Sequence, residues 1–201
     1  MNRDAARALV GERWIRELAA IFEVAGRYIR AVDHEGRSGV RAVIPVIRAA
    51  VQGDHAQLCD LFDELDELHR DARPDIFRNP AGDARSRDDM ACLMAGEGGT
   101  IVVAEGGSGL VGVAVALLRD PVSHPLLVTR KIVEIDNIVV RRGYQRQGIG
   151  RRLVAACVEW ARQRRVDDVE IAVHDFNVGA IAFYAALGFE MSVHRLRRRL
   201  A

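Results

Sequence analysis

Residues 133–153 read VEIDNIVVRRGYQRQGIGRRL: a run of β-formers, a short basic connection, a turn holding Gly148 and Gly150, and the start of a helical pattern. A strand that enters a helix through closely spaced glycines gathers the unpaired N–H groups of the first helical turn at one point. That arrangement suits an anion. The rest of the chain is read as what surrounds this turn.

At 201 residues the chain has room for one ordinary domain, or for one of about 150 residues with an appendage. The formal charge is only +1, without the domain-wide basic excess of a nucleic-acid binder, so no nucleic-acid partner is expected. Charge is unevenly placed, however. Eight arginines stand against Glu159 alone in residues 141–165, and seven carboxylates stand against Arg70 alone in residues 54–71. Lys131 is the only lysine, which marks a general bias toward arginine. Cys59, Cys92 and Cys157 have no close partner at metal-ligand spacing, so no metal site is expected, and reduced, mostly buried thiols of a cytoplasmic protein are. No apolar run reaches the roughly 18 residues of a membrane helix, and Asp4 and Glu12 occupy the place of a signal peptide's apolar core. A soluble chain without stable membrane insertion is the expectation.

In chain order, residues 5–32 carry Leu9, Trp14, Leu18, Phe22 and Ile29 at helical spacing. This amphipathic helix is expected to pack on the main domain or on a second subunit in a homodimer, and residues 33–41, with Gly36 and Gly39, form a linker. The extension is therefore 1–41 and the main domain 42–201. A strand over 43–51, interrupted at Pro45, leads to a helix with Asp54 as N-cap and Leu58, Leu61, Phe62, Leu65 and Leu68 on its buried stripe. Its acidic face is either simply solvated or a lip that attracts a cationic substrate. Residues 69–84 form a connection of the kind that lines sites, and 85–95 a short helix. Strands over 100–104 and 110–118 form a hairpin around a glycine cluster that no helix follows, so it is not a phosphate loop. A strand over 126–140, a helix over 150–164, a strand over 168–173, a helix from Asn177 to Leu187 stopped by Gly188, and a last strand over 189–196 complete the order. Such a succession predicts an α/β domain with a mixed, mostly antiparallel central sheet flanked by helices.

A Walker A loop would need Gly-Lys-Ser/Thr where Arg151 and Arg152 stand, and a dinucleotide fingerprint a third glycine where Leu153 stands. A purely structural glycine pair stays open on the turn alone. Two separated motifs say more: Gln145-x-x-Gly148-x-Gly150 after Val139-Val140, and Asn177-x-x-Ala180-x-x-Phe183-Tyr184-x-x-Leu187-Gly188-Phe189. Together, in order and spacing, they resemble the GNAT family of N-acetyltransferases, over about residues 44–196.

The resemblance implies a GNAT-like acyl-CoA N-acyltransferase fold, acetyl-CoA as acyl donor, and a primary amine of a small molecule or peptide as acceptor. It implies that Ile138, Val139 and Val140 pair with the pantetheine arm. Gln145, Arg146, Gln147, Gly148, Ile149 and Gly150 would wrap the pyrophosphate, with Arg141, Arg142, Arg151 and Arg152 available for charge-assisted contacts. Asn177 would cap its helix or touch the pantetheine, Phe183 would form core or cofactor wall, and Tyr184 would protonate the departing thiolate. Glu134 matches a general-base glutamate of some relatives. Asp136 lies on the same side of the strand by period two, and which of the two acts is open. The Val139 N–H would meet the oxyanion. The alternative function is a non-catalytic acyl-CoA-binding or assembly module of the same fold.

Overall fold

Five strands hydrogen-bond in the order β1-β2-β3-β4-β5: β1 (Val46–Ala49), β2 (Gly99–Gly106), β3 (Gly109–Arg119), β4 (Ile132–Val140) and β5 (Asp168–Ile171). The first three pairings are antiparallel and the last is parallel. The mixed sheet expected from the hairpin-rich element order therefore forms. The computed structural model describes residues 44–80, 85–96, 98–121, 124–198 and 200. The expected helix and linker over 1–41, and the dimer contact assigned to them, lie outside the described residues. Two compact units divide the chain, one ending at Ile171 and the other running from Ala172.

Helices α1 (His55–Ala72) and α2 (Arg87–Met94) cover one face of the sheet. Leu58, Leu61 and Phe62 of α1 and Met90 and Met94 of α2 pack there with Ile101, Val103, Val113 and Val115, and Leu117 and Val139 join the cluster. Helix α3 (Ile149–Gln163) covers the other face with Ile149, Leu153, Val154, Cys157 and Trp160 buried. Gly112 permits that approach, since a Cβ there would stand 3.2 Å from Leu153 Cδ1 and 3.1 Å from the Val139 carbonyl. Burial pushes the Cys157 thiol up to about 12. Cys59 is half-buried and Cys92 exposed, so mostly buried thiols is too broad an expectation.

Three expected elements need correction. Asp54 stands at the N-cap position of α1 but makes no side-chain cap bond; its carboxylate instead takes the Arg48 guanidinium at 2.6 and 2.9 Å and the Val51 N–H at 2.8 Å. The strand expected over 126–140 begins only at Ile132, because Leu126 and Val128 stand 87% and 82% exposed and the ladder to β3 ends at Arg119–Ile132. No strand forms over 189–196. Met191, Val193 and Leu196 are exposed, so their alternation buries nothing and gives the backbone no pairing partner.

The Arg48–Asp54 pair carries a stability prediction. Burial works against the Asp54 charge, but the Arg48 guanidinium and the Val51 amide outweigh it and hold the carboxyl below the usual carboxylate range. Asp54→Asn is expected to cost about 2 kcal/mol, because it removes the two-oxygen partner of the half-buried Arg48 guanidinium and leaves it only Glu105 on its Nε. A carboxyl whose folded pKa is depressed adds stability that is full above about pH 4 and is lost as pH falls through the folded value. Denaturant melts at neutral pH and at pH below about 4 should therefore show the wild-type advantage shrinking in acid.

Candidate functional site

The register of β4 against β3 contains one irregularity, and it falls on the acidic part of the strand. Ala116 is opposite Ile135 and Val115 is opposite Asn137, so Asp136 is an extra residue, the centre of a β-bulge. Residues directly opposite share a face. Glu134 opposite Leu117, and Asn137 opposite Val115, therefore look toward the α1 and α2 side, whereas Val133 and Ile135 are buried on the α3 side. The simple period-two alternation breaks at the bulge. Asn137 Nδ2 donates to Asp136 Oδ2, which keeps the carboxylate beside its neighbours.

The two carboxylates have different surroundings. Glu134 is half-buried and its Oε2 accepts from Arg119 Nε at 2.5 Å. Asp136 has no arginine partner at ion-pair distance among the described residues. Asp136 is exposed at the bulge, yet the protein partly enclosing its carboxyl, and secondarily the charge of Glu134, raise it above the usual aspartate range, while Arg119 and Arg85 pull the other way.

Beyond the bulge, no strand among the described residues pairs with the second edge of β4. Parallel pairing with β5 covers Ile132–Asp168 to Ile135–Ile171, where β5 ends. The Arg141 N–H bonds the Val111 carbonyl at 2.9 Å. Antiparallel ladders alternate bonded and non-bonded pairs. It follows from the register that Val139 spends its N–H and C=O on Val113, and that Ile138 and Val140 direct theirs to the open edge. Gln145 Nε2 already takes the Val140 carbonyl at 3.0 Å. The oxyanion role expected for the Val139 N–H is thus corrected: the exposed amides are those of Ile138 and Val140.

A single turn of 3-10 helix, Arg142–Tyr144, carries the chain to the glycine turn. Arg146 has φ of +62° and Gly148 of +78°. Gly148 is the N-cap of α3, and no side chain caps that helix, so the amides of its first turn, at Ile149, Gly150 and Arg151, keep their bonding capacity. Gln147 Nε2 closes the turn on the Gly143 carbonyl at 3.3 Å. The Ile149 side chain is buried, so only its backbone faces the turn. Nothing lies within 4 Å of a Cβ built on Gly148, so space is not its constraint; backbone conformation is. Gly148→Ala should cost about 1–2 kcal/mol of stability, while Gly143→Ala, in equally open space without a positive φ, should be nearly silent in the same thermal melt.

The second unit holds α4 (Val178–Ala185). Asn177 Oδ1 accepts from the Ala180 N–H at 3.1 Å, the N-cap its position predicts. Gly188, with φ of +89°, stops the helix, and the Gly188 N–H reaches the Ala185 carbonyl at 3.0 Å. Tyr184 is buried and edge-on to Phe183 and Phe189, with ring centroids at 5.0 and 5.7 Å.

Residues 62–189 match the model of the Acetyltransferase (GNAT) family. The chain belongs to the GNAT acetyltransferase family. It is 31% identical over 98 residues to N-acetyltransferase 8F1 of Rattus norvegicus, covering 48% of this chain and 42% of that one. It is 41% identical over 61 residues to the uncharacterized N-acetyltransferase MJ1207 of Methanocaldococcus jannaschii, covering 30% of this chain and 27% of that one. The chain thus spans less than half the length of these curated relatives. Among solved structures, a tetramutant of the BH1408 protein from Bacillus halodurans matches with a TM-score of 0.71 at 27% identity, over 77% of this chain and 99% of that one. Aminoglycoside N-acetyltransferase AAC(6')-Iy in complex with CoA shares the fold, with a TM-score of 0.58 at 15% identity over 77% and 98%.

In this GNAT chain the arginines around the turn do not act as a group. Arg152 Nη1 donates to the Pro45 carbonyl at 2.7 Å, and burial lowers its pKa. Arg141 and Arg142 face α1, each 3.6 Å from a carboxylate, Glu64 and Glu67 respectively. Arg146 and Arg151 stand exposed beside the turn. The acidic face of α1 is correspondingly less free than its composition suggests, since Asp66 also holds Arg85 at 2.6 and 2.9 Å. Asp60 and Asp63, with the arginine-facing Glu64 and Glu67 and with Arg70, Asn79 and Pro80, line a shallow cavity of about 440 Å³. Sequence reasoning missed Arg119 and Asn137. Asn137 had a signal, adjacency to Asp136; Arg119 had none, because only strand register brings it to Glu134.

Among the described residues no group of three or more His, Cys, Asp or Glu side chains could hold a metal ion, and no helix is long and apolar enough to cross a membrane.

Proposed function

We propose that the chain transfers the acetyl group of acetyl-CoA to a primary amine by direct attack. The observation that carries this reading is the open edge of β4 running into an uncapped helix N-terminus. The outward groups of Ile138 and Val140 fit an amide-bearing chain such as pantetheine, which would extend the sheet beyond the end of β5. The amides of Ile149, Gly150 and Arg151, with the helix dipole, fit a pyrophosphate, and Arg146 and Arg151 are placed to add charge.

The chemistry follows from those placements. The neutral amine attacks the thioester carbon and forms a C–N bond, and the oxyanion takes a hydrogen bond from an outward β4 amide, Ile138 or Val140. Asp136 accepts the amine proton, its raised proton affinity bringing it closer to the task than an ordinary aspartate. Collapse breaks the C–S bond. Tyr184, assigned through its place in the GNAT motif, gives the phenol proton to the departing sulfur. The acceptor is a small-molecule or peptide amine, and cationic amines are favoured by Asp60 and Asp63 of the α1 cavity.

Thiol release from acetyl-CoA, measured over a panel of polyamines, amino acids and peptides, tests the function. Amine-dependent release with matching acetylated product is expected. Tight acetyl-CoA binding without turnover on any amine would replace this reading with the non-catalytic binding module.

A further inference from the structure

We propose that Arg119 is a positioning residue: by holding Glu134 in an ion pair, it leaves Asp136 as the β4 carboxylate that receives the amine proton. This rests on the acetyl-transfer reading above. Glu134 looks toward the α1 and α2 side, and Asp136 sits two residues on at the centre of the bulge, near enough for the Glu134 charge to reach it. Left to themselves, two such carboxylates repel each other, and either could take the amine proton. Arg119 breaks the symmetry. It closes β3 opposite Ile132 and turns its Nε to Glu134 Oε2 at 2.5 Å, so that Glu134 is oriented and neutralised while Asp136 keeps an oxygen free of Asn137.

The other charges around Asp136 do not substitute for Arg119. Arg85, which precedes α2, is engaged by both oxygens of Asp66 on α1 and lies over the Phe62 ring at 4.4 Å, with Asp63 and Cys59 near it. On β5, Glu170 stands beside Glu134 in register, 3.4 Å from Arg130, which also holds Asp168 at 2.5 Å. Arg119 alone pairs with Glu134 at ion-pair distance among the described residues. Its side chain is 44% exposed, so its replacement by glutamine should leave the fold in place, which a thermal melt checks.

The test is a carboxyl-carbon NMR titration of Asp136 in the protein without acetyl-CoA or amine, for wild type, Arg119→Gln, Arg119→Lys and Glu134→Gln. Arg119→Gln should move the Asp136 midpoint to higher pH, Arg119→Lys should restore most of the shift, and Glu134→Gln should move it to lower pH. The acid limb of kcat/KM should follow the same order. An Asp136 midpoint that Arg119→Gln leaves in place overturns the role of Arg119, whatever the turnover. A midpoint that moves as expected, in a protein that acetylates no amine, overturns the acetyl-transfer reading instead and with it any use of the proton.

Discussion

Asp136→Asn is expected to lower kcat for amine acetylation by about 100-fold to 10,000-fold, with acetyl-CoA affinity changed by no more than about twofold. The asymmetry between the β4 carboxylates is the reason. A base that must take a proton from an ammonium or an attacking amine gains from proton affinity above the ordinary aspartate value, and the packing around Asp136 together with the Glu134 charge supplies it. Since only the ionised carboxylate accepts a proton, kcat/KM should rise with pH through the Asp136 midpoint, on an acid limb lying above about pH 4. Asp136→Asn should abolish that limb. The asparagine retains the size of the side chain at the bulge, so a stability loss near that of a surface substitution, within about 0.5 kcal/mol, is the control. A variant with normal kcat and an unchanged acid limb would remove Asp136 from the mechanism.

Tyr184→Phe should lower kcat by about 10-fold to 100-fold, at or below the low end for general acids, because a thiolate is already a good leaving group. The ring packs edge-on against Phe183 and Phe189 within its own unit, and phenylalanine keeps those contacts. A thioester analogue with a more acidic thiol should recover most of the lost rate in the variant, since it needs no proton on leaving. Equal losses with both thioesters would assign Tyr184 to packing.

How much of this was legible in the sequence differs by element. The strand, glycine turn and α3 were readable because their signals are local: β-formers up to Val140, glycine at the positive-φ position 148, and Leu153, Val154 and Cys157 at helical spacing. The Asn177 cap and the Gly188 stop were readable for the same reason. The bulge was not, because Asp136 is extra only relative to β3, and register is a property of two strands. The same register decided that Ile138 and Val140, and not Val139, offer their backbone groups to the open edge. The pairing of Arg141 and Arg142 with Glu64 and Glu67 joins segments far apart in sequence, and composition alone had left both sets of charges looking available. Asp54 holds the N-cap position the sequence indicates, but an acid before an apolar helical stripe has two uses, and Arg48 takes its side chain.

The most direct measurement of the central claim is an amide nitrogen-proton correlation spectrum of the protein titrated with acetyl-CoA. The amides of Ile138, Val140, Ile149, Gly150 and Arg151 should shift most, with Val139 shifting less because its N–H is spent on β3. Largest shifts elsewhere, such as at the hairpin of Gly107 and Ser108, or equal shifts along every residue of β4, would contradict a cofactor held between the open edge of β4 and the first turn of α3.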